Sequence, residues 1–127
     1  MTLDSFRLPA EHLAIRTITA ETPTVENTKH FNSFKDFYPY YLREHGNSTC
    51  RRLHFIGTTL VIVILAFVIG KGAWPWLLAV PVAGYGFAWV GHFFFEKNRP
   101  ATFQHPFYSL LGDFVMYRDM ILGKVPF

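Results

Sequence analysis

Residues 53–70 read LHFIGTTLVIVILAFVIG, and residues 72–95 read GAWPWLLAVPVAGYGFAWVGHFFF, with one charge, Lys71, between them. The first run holds 18 residues and the second 24, none of them Asp, Glu, Lys or Arg. As α-helices they would reach about 27 and 36 Å, against a hydrocarbon core of about 30 Å. The break at Gly70-Lys71-Gly72 is short enough for a tight turn. The pair therefore predicts a transmembrane helical hairpin with spans at about 53–70 and 72–95, the second long enough to tilt or to kink at Pro81.

The whole chain agrees with that reading. Of 127 residues, 50% are hydrophobic and 18% aromatic, with 14 Phe, 6 Tyr and 3 Trp. Only 17% are charged, where a soluble domain carries about a quarter, and the mean hydropathy is +0.17. This composition excludes a disordered chain. Cys50 is the one cysteine, which excludes a disulfide scaffold. The net charge of +3 comes from basic residues that flank apolar runs, a membrane pattern and not a nucleic-acid one.

Outward from the hairpin, residues 31–45 (FNSFKDFYPYYLREH) place Phe31, Phe34, Phe37, Tyr38 and Tyr41 at helical spacing. They predict a short amphipathic helix on the bilayer surface, with Pro39 as a kink or late start. Gly46 suits its end, and Asn47 or Ser48 suits the next N-cap. After the loop 98–105, Pro106 can open a last helix and Gly123 can stop it. Asp113, Arg118 and Asp119 make that segment a second interfacial helix, not a span. Residues 1–30 are polar, lack a signal-peptide core and read as an N-terminal arm. The expected fold is thus all-α: an arm at 1–30, then a single membrane domain at 31–127, a two-helix hairpin flanked by two interfacial amphipathic helices. Lys35, Arg43, Arg51, Arg52, Lys97 and Arg99 lie at the open end of the hairpin and only Lys71 at its turn, so the open end, with both termini, is expected in the cytoplasm.

Six histidines are present: His12, His30, His45, His54, His92 and His105. His12 and His30 fall in the arm and read as surface residues. His54 opens the first apolar run and His92 nearly closes the second, so an antiparallel hairpin makes them neighbours. His45 precedes the first span and His105 follows the second. Four imidazoles thus converge at one edge of the membrane, where ionisable groups are costly and usually functional. Neutral imidazoles in such a group suit a metal, and iron, zinc or copper all fit nitrogen ligands with open positions. Glu96 stands four residues after His92, placed to ligate or to orient an imidazole. Cys50 has the same spacing to His54, and Glu44 adjoins His45. Asp113 faces inward if Leu110 and Phe114 pack. Arg51, Arg52, Lys97 and Arg99 are available to hold a carboxylate at the bilayer surface.

The stretches FYPYYLREHGNSTCRRLHFIGT and GHFFFEKNRPATFQHPFYSLLGDFVMYRDM carry an ordered set of patterns: E-H-x-N, R-x-L-H, G-H-x-x-F-E-x-N-x-P-A-T and H-P-x-x-S-L-x-x-D. From about Phe34 to Gly123 the chain resembles the membrane family of fungal 2-hydroxy fatty acid dioxygenases and their bacterial relatives. The fungal members are endoplasmic-reticulum enzymes of fatty acid α-oxidation, active in phytosphingosine breakdown, that need Fe(II). The resemblance implies a 2-hydroxy long-chain fatty acid and O2 as substrates and the acid one carbon shorter as product. It implies His45, His54, His92 and His105 as metal ligands and catalytic residues. Glu96 and Asp113 would orient them, and Arg51 and Arg99 would hold the substrate carboxylate. It implies an inner-membrane protein in a bacterium and an endoplasmic-reticulum protein in a eukaryote. Two other classes fit the residues: a haem protein ligated by His54 and His92, and a hairpin that shapes membrane without catalysis.

Overall fold

The computed structural model describes residues 30–127, so the arm at 1–29, with His12, lies outside the described residues. Helix α1 spans Phe34–Arg43, α2 Ser48–Lys71, α3 Ala79–Val90 and α4 Pro106–Ile121. A 3-10 turn, Trp74–Leu78, leads into α3, and a π-helical turn, Gly91–Glu96, continues it. No strand occurs among the described residues, and Phe31–Phe127 packs as one unit.

Local chemistry sets each boundary. Ser33 caps α1 by accepting the Asp36 N–H, so the helix starts well before Pro39, which sits exposed inside it. Asn47 caps α2 by accepting the N–H groups of Thr49 and Cys50. Gly72, at φ +62°, ends α2 in the left-handed conformation that glycine adopts without steric cost. The first span therefore begins earlier than its apolar run, taking in Cys50, Arg51 and Arg52. Pro81 lies in the first turn of α3, where its missing N–H costs little, and the backbone changes from 3-10 to α just before it.

Ser48–Lys71 and Trp74–Glu96 are each long and apolar enough to cross a membrane. Their side chains are distributed the reverse of a soluble core. Ile69, Leu78, Val82 and Phe94 are at least 70% exposed, while His45, His54 and His92 are buried. The same holds on α4, where Phe107, Leu110 and Leu111 face outward and Ser109, Gly112 and Asp119 face inward. Such an outward apolar coat suits lipid as its solvent.

The aromatic core sits at the open end of the hairpin. Phe37 and Tyr41 of α1 pack on Met116 and Met120 of α4, with Ala101 and Val125 closing the cluster. Tyr38 donates to Asp119, which also pairs with Arg118. Arg51 on α2 donates to the carbonyls of His45, Gly46 and Pro126, so one guanidinium ties α1, α2 and the segment after α4 together.

The two spans lie close together at Gly91, where an added Cβ would stand 3.0 Å from Cys50 Sγ and 3.2 Å from its Cα. Gly86, on the same span, has nothing within 4 Å of that position. Gly91→Ala is expected to lose roughly 1–3 kcal/mol of stability by overpacking. Gly86→Ala is expected to lose none, and thermal unfolding of both variants in detergent checks the contrast.

Candidate metal centre

His45 leaves the end of α1, His54 stands in the second turn of α2, and His92 lies in the π turn after α3. The hairpin and the Gly46-Asn47 link bring the three together. Their ring centroids are 4.4 Å (His45–His54), 4.5 Å (His45–His92) and 5.0 Å (His54–His92) apart. With Cys50 they form a buried group in which one ligand atom from each residue lies within 4.8 Å of every other.

The second nitrogen of each ring fixes its proton. His45 Nδ1 lies 2.6 Å from the Tyr41 carbonyl, left without a helical partner at the end of α1. A carbonyl only accepts, so Nδ1 is the protonated nitrogen. His54 Nδ1 lies 3.0 Å from Asp113 Oδ1, which also accepts the Tyr41 hydroxyl. His92 Nδ1 lies 2.7 Å from Asn98 Oδ1. The Asn98 amide is oriented by its NH₂, which donates to the carbonyl and the Oε2 of Glu44. Each Nδ1 thus has an acceptor, and a neutral ring bonded in this way carries its proton on Nδ1 and keeps a free Nε2. The Nε2 atoms of His45 and His54 lie 3.2 Å apart. With both rings neutral, two lone pairs face each other there, and a cation between them, a metal ion or a proton, relieves their repulsion. The residues therefore fit a metal ion, held by imidazole nitrogen with carboxylate, carbonyl and amide partners behind.

Burial pushes the His45 pKa well below its ordinary value, and the imidazoles of His54 and His92 push it further, so the ring is neutral at neutral pH. Burial raises the Tyr41 pKa well above ordinary, and the Asp113 carboxylate adds to it, so the phenol stays a donor. Tyr41 is held against α4 because Gly112 has no side chain; a Cβ there would lie 2.9 Å from the ring.

The π turn and the residue after it set His92. Lys97, at φ +58°, is the one non-glycine residue with positive φ among the described residues. It reverses the chain so that the Asn98 N–H reaches the His92 carbonyl and the Asn98 side chain reaches the His92 ring. π turns of this kind are frequent at functional sites.

Other residues expected at the site lie elsewhere. His105 caps α4, half-buried, with its ring against Phe31 and Phe37, outside the three-histidine group. Glu96 turns away from the rings: Oε1 accepts the Gly46 N–H at 2.9 Å and Oε2 the Asn47 N–H at 2.6 Å. It is a carboxylate at the start of α2, where free N–H groups and the helix dipole favour one. Arg51 is engaged with three carbonyls, and Arg99 lies over the Phe103 ring. Asp113 does face inward, at His54. The sequence does not point to Asn98 and the Tyr41 carbonyl as partners of the rings, beyond the third position of the E-x-N pattern for Asn98; Glu44, which adjoins His45 in the chain, holds Asn98 and not a ring. Ser109 Oγ, one turn before Asp113, is the one buried side-chain polar atom without a partner among the described residues.

Two axial imidazoles on a haem need the space of a macrocycle between them, whereas the His45 ring stands against both His54 and His92, 4.4 and 4.5 Å away between centroids.

The model of the 2-hydroxy-palmitic acid dioxygenase Mpo1-like family matches residues 31–125. The chain belongs to this family. Comparison with curated proteins and with solved structures gave no match. The matched segment contains α1 to α4 and every residue of the centre, so the family assignment and the geometry concern the same part of the chain.

Asp113→Ala removes the acceptor shared by His54 and Tyr41, and is expected to weaken metal binding about 10- to 100-fold. His105→Ala is expected to leave metal affinity within about threefold of wild type, a factor worth less than 1 kcal/mol. Competition titration of the two purified variants with a chelator separates them.

Proposed function

We propose that this protein is an Fe(II)-dependent membrane dioxygenase that converts a 2-hydroxy long-chain fatty acid to the acid one carbon shorter. The observation that carries the proposal is the convergence of three buried imidazoles, His45, His54 and His92, each held through Nδ1 by an acceptor. The family match supports the dioxygenase chemistry and the class of substrate.

His45, His54 and His92 would hold the iron, with Cys50 Sγ beside them. His105 would have to leave its aromatic contacts to join, and the proposal sets it outside. Bound Fe(II) would supply a redox-active Lewis acid with open positions for the 2-hydroxy acid and O2. The overall reaction balances without a further reductant: the 2-hydroxy acid and O2 give the shorter acid, CO2 and water, with the substrate supplying all four electrons. Neither 2-oxoglutarate nor haem is required.

The protein's own groups would do three things. Asp113, the Tyr41 carbonyl and Asn98 orient the imidazoles, and burial keeps the His45 ring neutral. Phe37, Tyr41 and the hairpin packing keep bulk water from the buried centre. The outward apolar side chains of α2, α3 and α4 hold the centre at the edge of the bilayer, where a fatty acid presents its carboxylate. The basic residues at the open end of the hairpin place that end on the cytoplasmic side. This location corresponds to the inner membrane of a bacterium or the endoplasmic reticulum of a eukaryote.

Metal analysis and turnover of detergent-purified protein test the proposal. Near-stoichiometric iron after anaerobic Fe(II) loading, with no Soret band, is expected, together with O2-dependent shortening of 2-hydroxypalmitate by one carbon. His92→Ala is expected to lose the iron and to lower turnover at least 100-fold. Iron-loaded wild type that leaves 2-hydroxy acids unchanged would overturn the proposed reaction.

A further inference from the structure

One cleft in the structure begins at the metal centre and runs away from it along the spans. Its cavity volume is about 190 Å³, and its walls are mostly apolar. His54 and Asp113 stand at one end. Thr58 and Val61 continue the wall from His54 along α2, one and two turns deeper. Gly84 and Val80 descend the antiparallel α3 on the other side. Leu110 and Phe114 of α4 form an outer edge and are themselves exposed, so the cleft opens sideways.

We propose that this cleft is the slot for the substrate's acyl chain, entered laterally from the bilayer, and that Gly84 opposite Val61 sets how deep a chain can lie. The inference rests on the reading of the centre as a 2-hydroxy fatty acid site, and it adds the path of the tail and the residue that limits it. The occupant is one unbranched chain, because the polar end and the apolar bore match the two ends of a single-chain acid. A carboxylate and 2-hydroxyl at the His54 end leave the remaining carbons to follow Thr58 and Val61. Val61 lies seven residues beyond His54, about 10 Å along the helix axis. There a Cβ on Gly84 would already stand 3.4 Å from Val61 Cγ2. A Cβ there would just meet Val61, so Gly84 and Val61 close the inner wall of the slot at this depth, and a larger side chain on Gly84 would project past that contact into the slot. The sideways opening removes the need for the tail to pass through water.

The test uses full-length, Fe(II)-loaded protein in nanodiscs and a 2-hydroxypalmitate analogue with a mid-chain diazirine. In wild type, photolysis is expected to label residues at the level of Val61, Val80 and Gly84, and unlabelled 2-hydroxypalmitate is expected to compete. Gly84→Leu is expected to lose that label and to shift the preference for 2-hydroxypalmitate over 2-hydroxyoctanoate by at least about tenfold toward the shorter acid. Val80→Phe narrows the slot one turn deeper and is expected to shift the preference less; it also serves if Gly84→Leu does not fold. Label spread evenly over the lipid-facing residues, or an unchanged chain-length preference in folded variants that turn over, overturns the slot while leaving the proposed reaction standing. Specific, competable label in protein that holds iron without turnover overturns the reaction and leaves the slot standing.

Discussion

Two imidazole nitrogens lie 3.2 Å apart between His45 and His54, and a third imidazole closes on them from His92. With neutral rings, that arrangement is repulsive. It persists because each ring is fastened from behind by a group that only accepts: a helix-end carbonyl, a carboxylate and an amide oxygen. Those acceptors come from α1, from α4 and from the segment after the π turn. The centre therefore requires all four helices, although its three histidines come from the end of α1 and the hairpin. The same dependence explains why small residues recur at the closest contacts. Gly91 lets the π turn lie against Cys50, and Gly112 lets α4 lie against Tyr41. A methyl group at either place would displace a ligand or its partner without touching the ligand itself.

The electrostatic design follows from burial. An imidazolium would be costly in this apolar surrounding, and the low pKa of His45 expresses that cost. Neutral rings with fixed tautomers are the form in which histidine binds metal. The cation that relieves their mutual repulsion brings its own charge to a site whose nearest anion is Asp113, itself bonded to Tyr41 and His54. Glu96, the other carboxylate close in sequence to His92, is committed to the N–H groups at the start of α2 and stabilises the link between α1 and α2. One acidic group thus serves the centre and the other serves the frame that positions it.

Much of this was legible in the sequence. Two long runs without charge gave the hairpin, and an antiparallel hairpin necessarily brings His54 near His92. Asn47, Pro106 and Gly123 marked boundaries through capping chemistry that is local and so readable. What the sequence concealed was direction. Glu96 has the same i, i+4 spacing to His92 whether its carboxylate faces the ring or the backbone of the next turn. The π turn, which has no sequence rule, changes that facing. His105 adjoins the last helix by number, yet Phe31 and Phe37 surround its ring, a contact set by how α1 lies on α4 and not by spacing. Asn98 stood inside a quoted pattern, but its role depends on the positive φ of Lys97, which a lysine does not advertise.

X-ray absorption at the iron edge of Fe(II)-loaded protein tests the central claim most directly. The account expects outer-sphere scattering from three imidazoles in wild type and from two in His45→Ala, with Asp113→Ala retaining three at lower occupancy. Scattering from four imidazoles that falls to three in His105→Ala, or a first sphere without imidazole nitrogen, would contradict it.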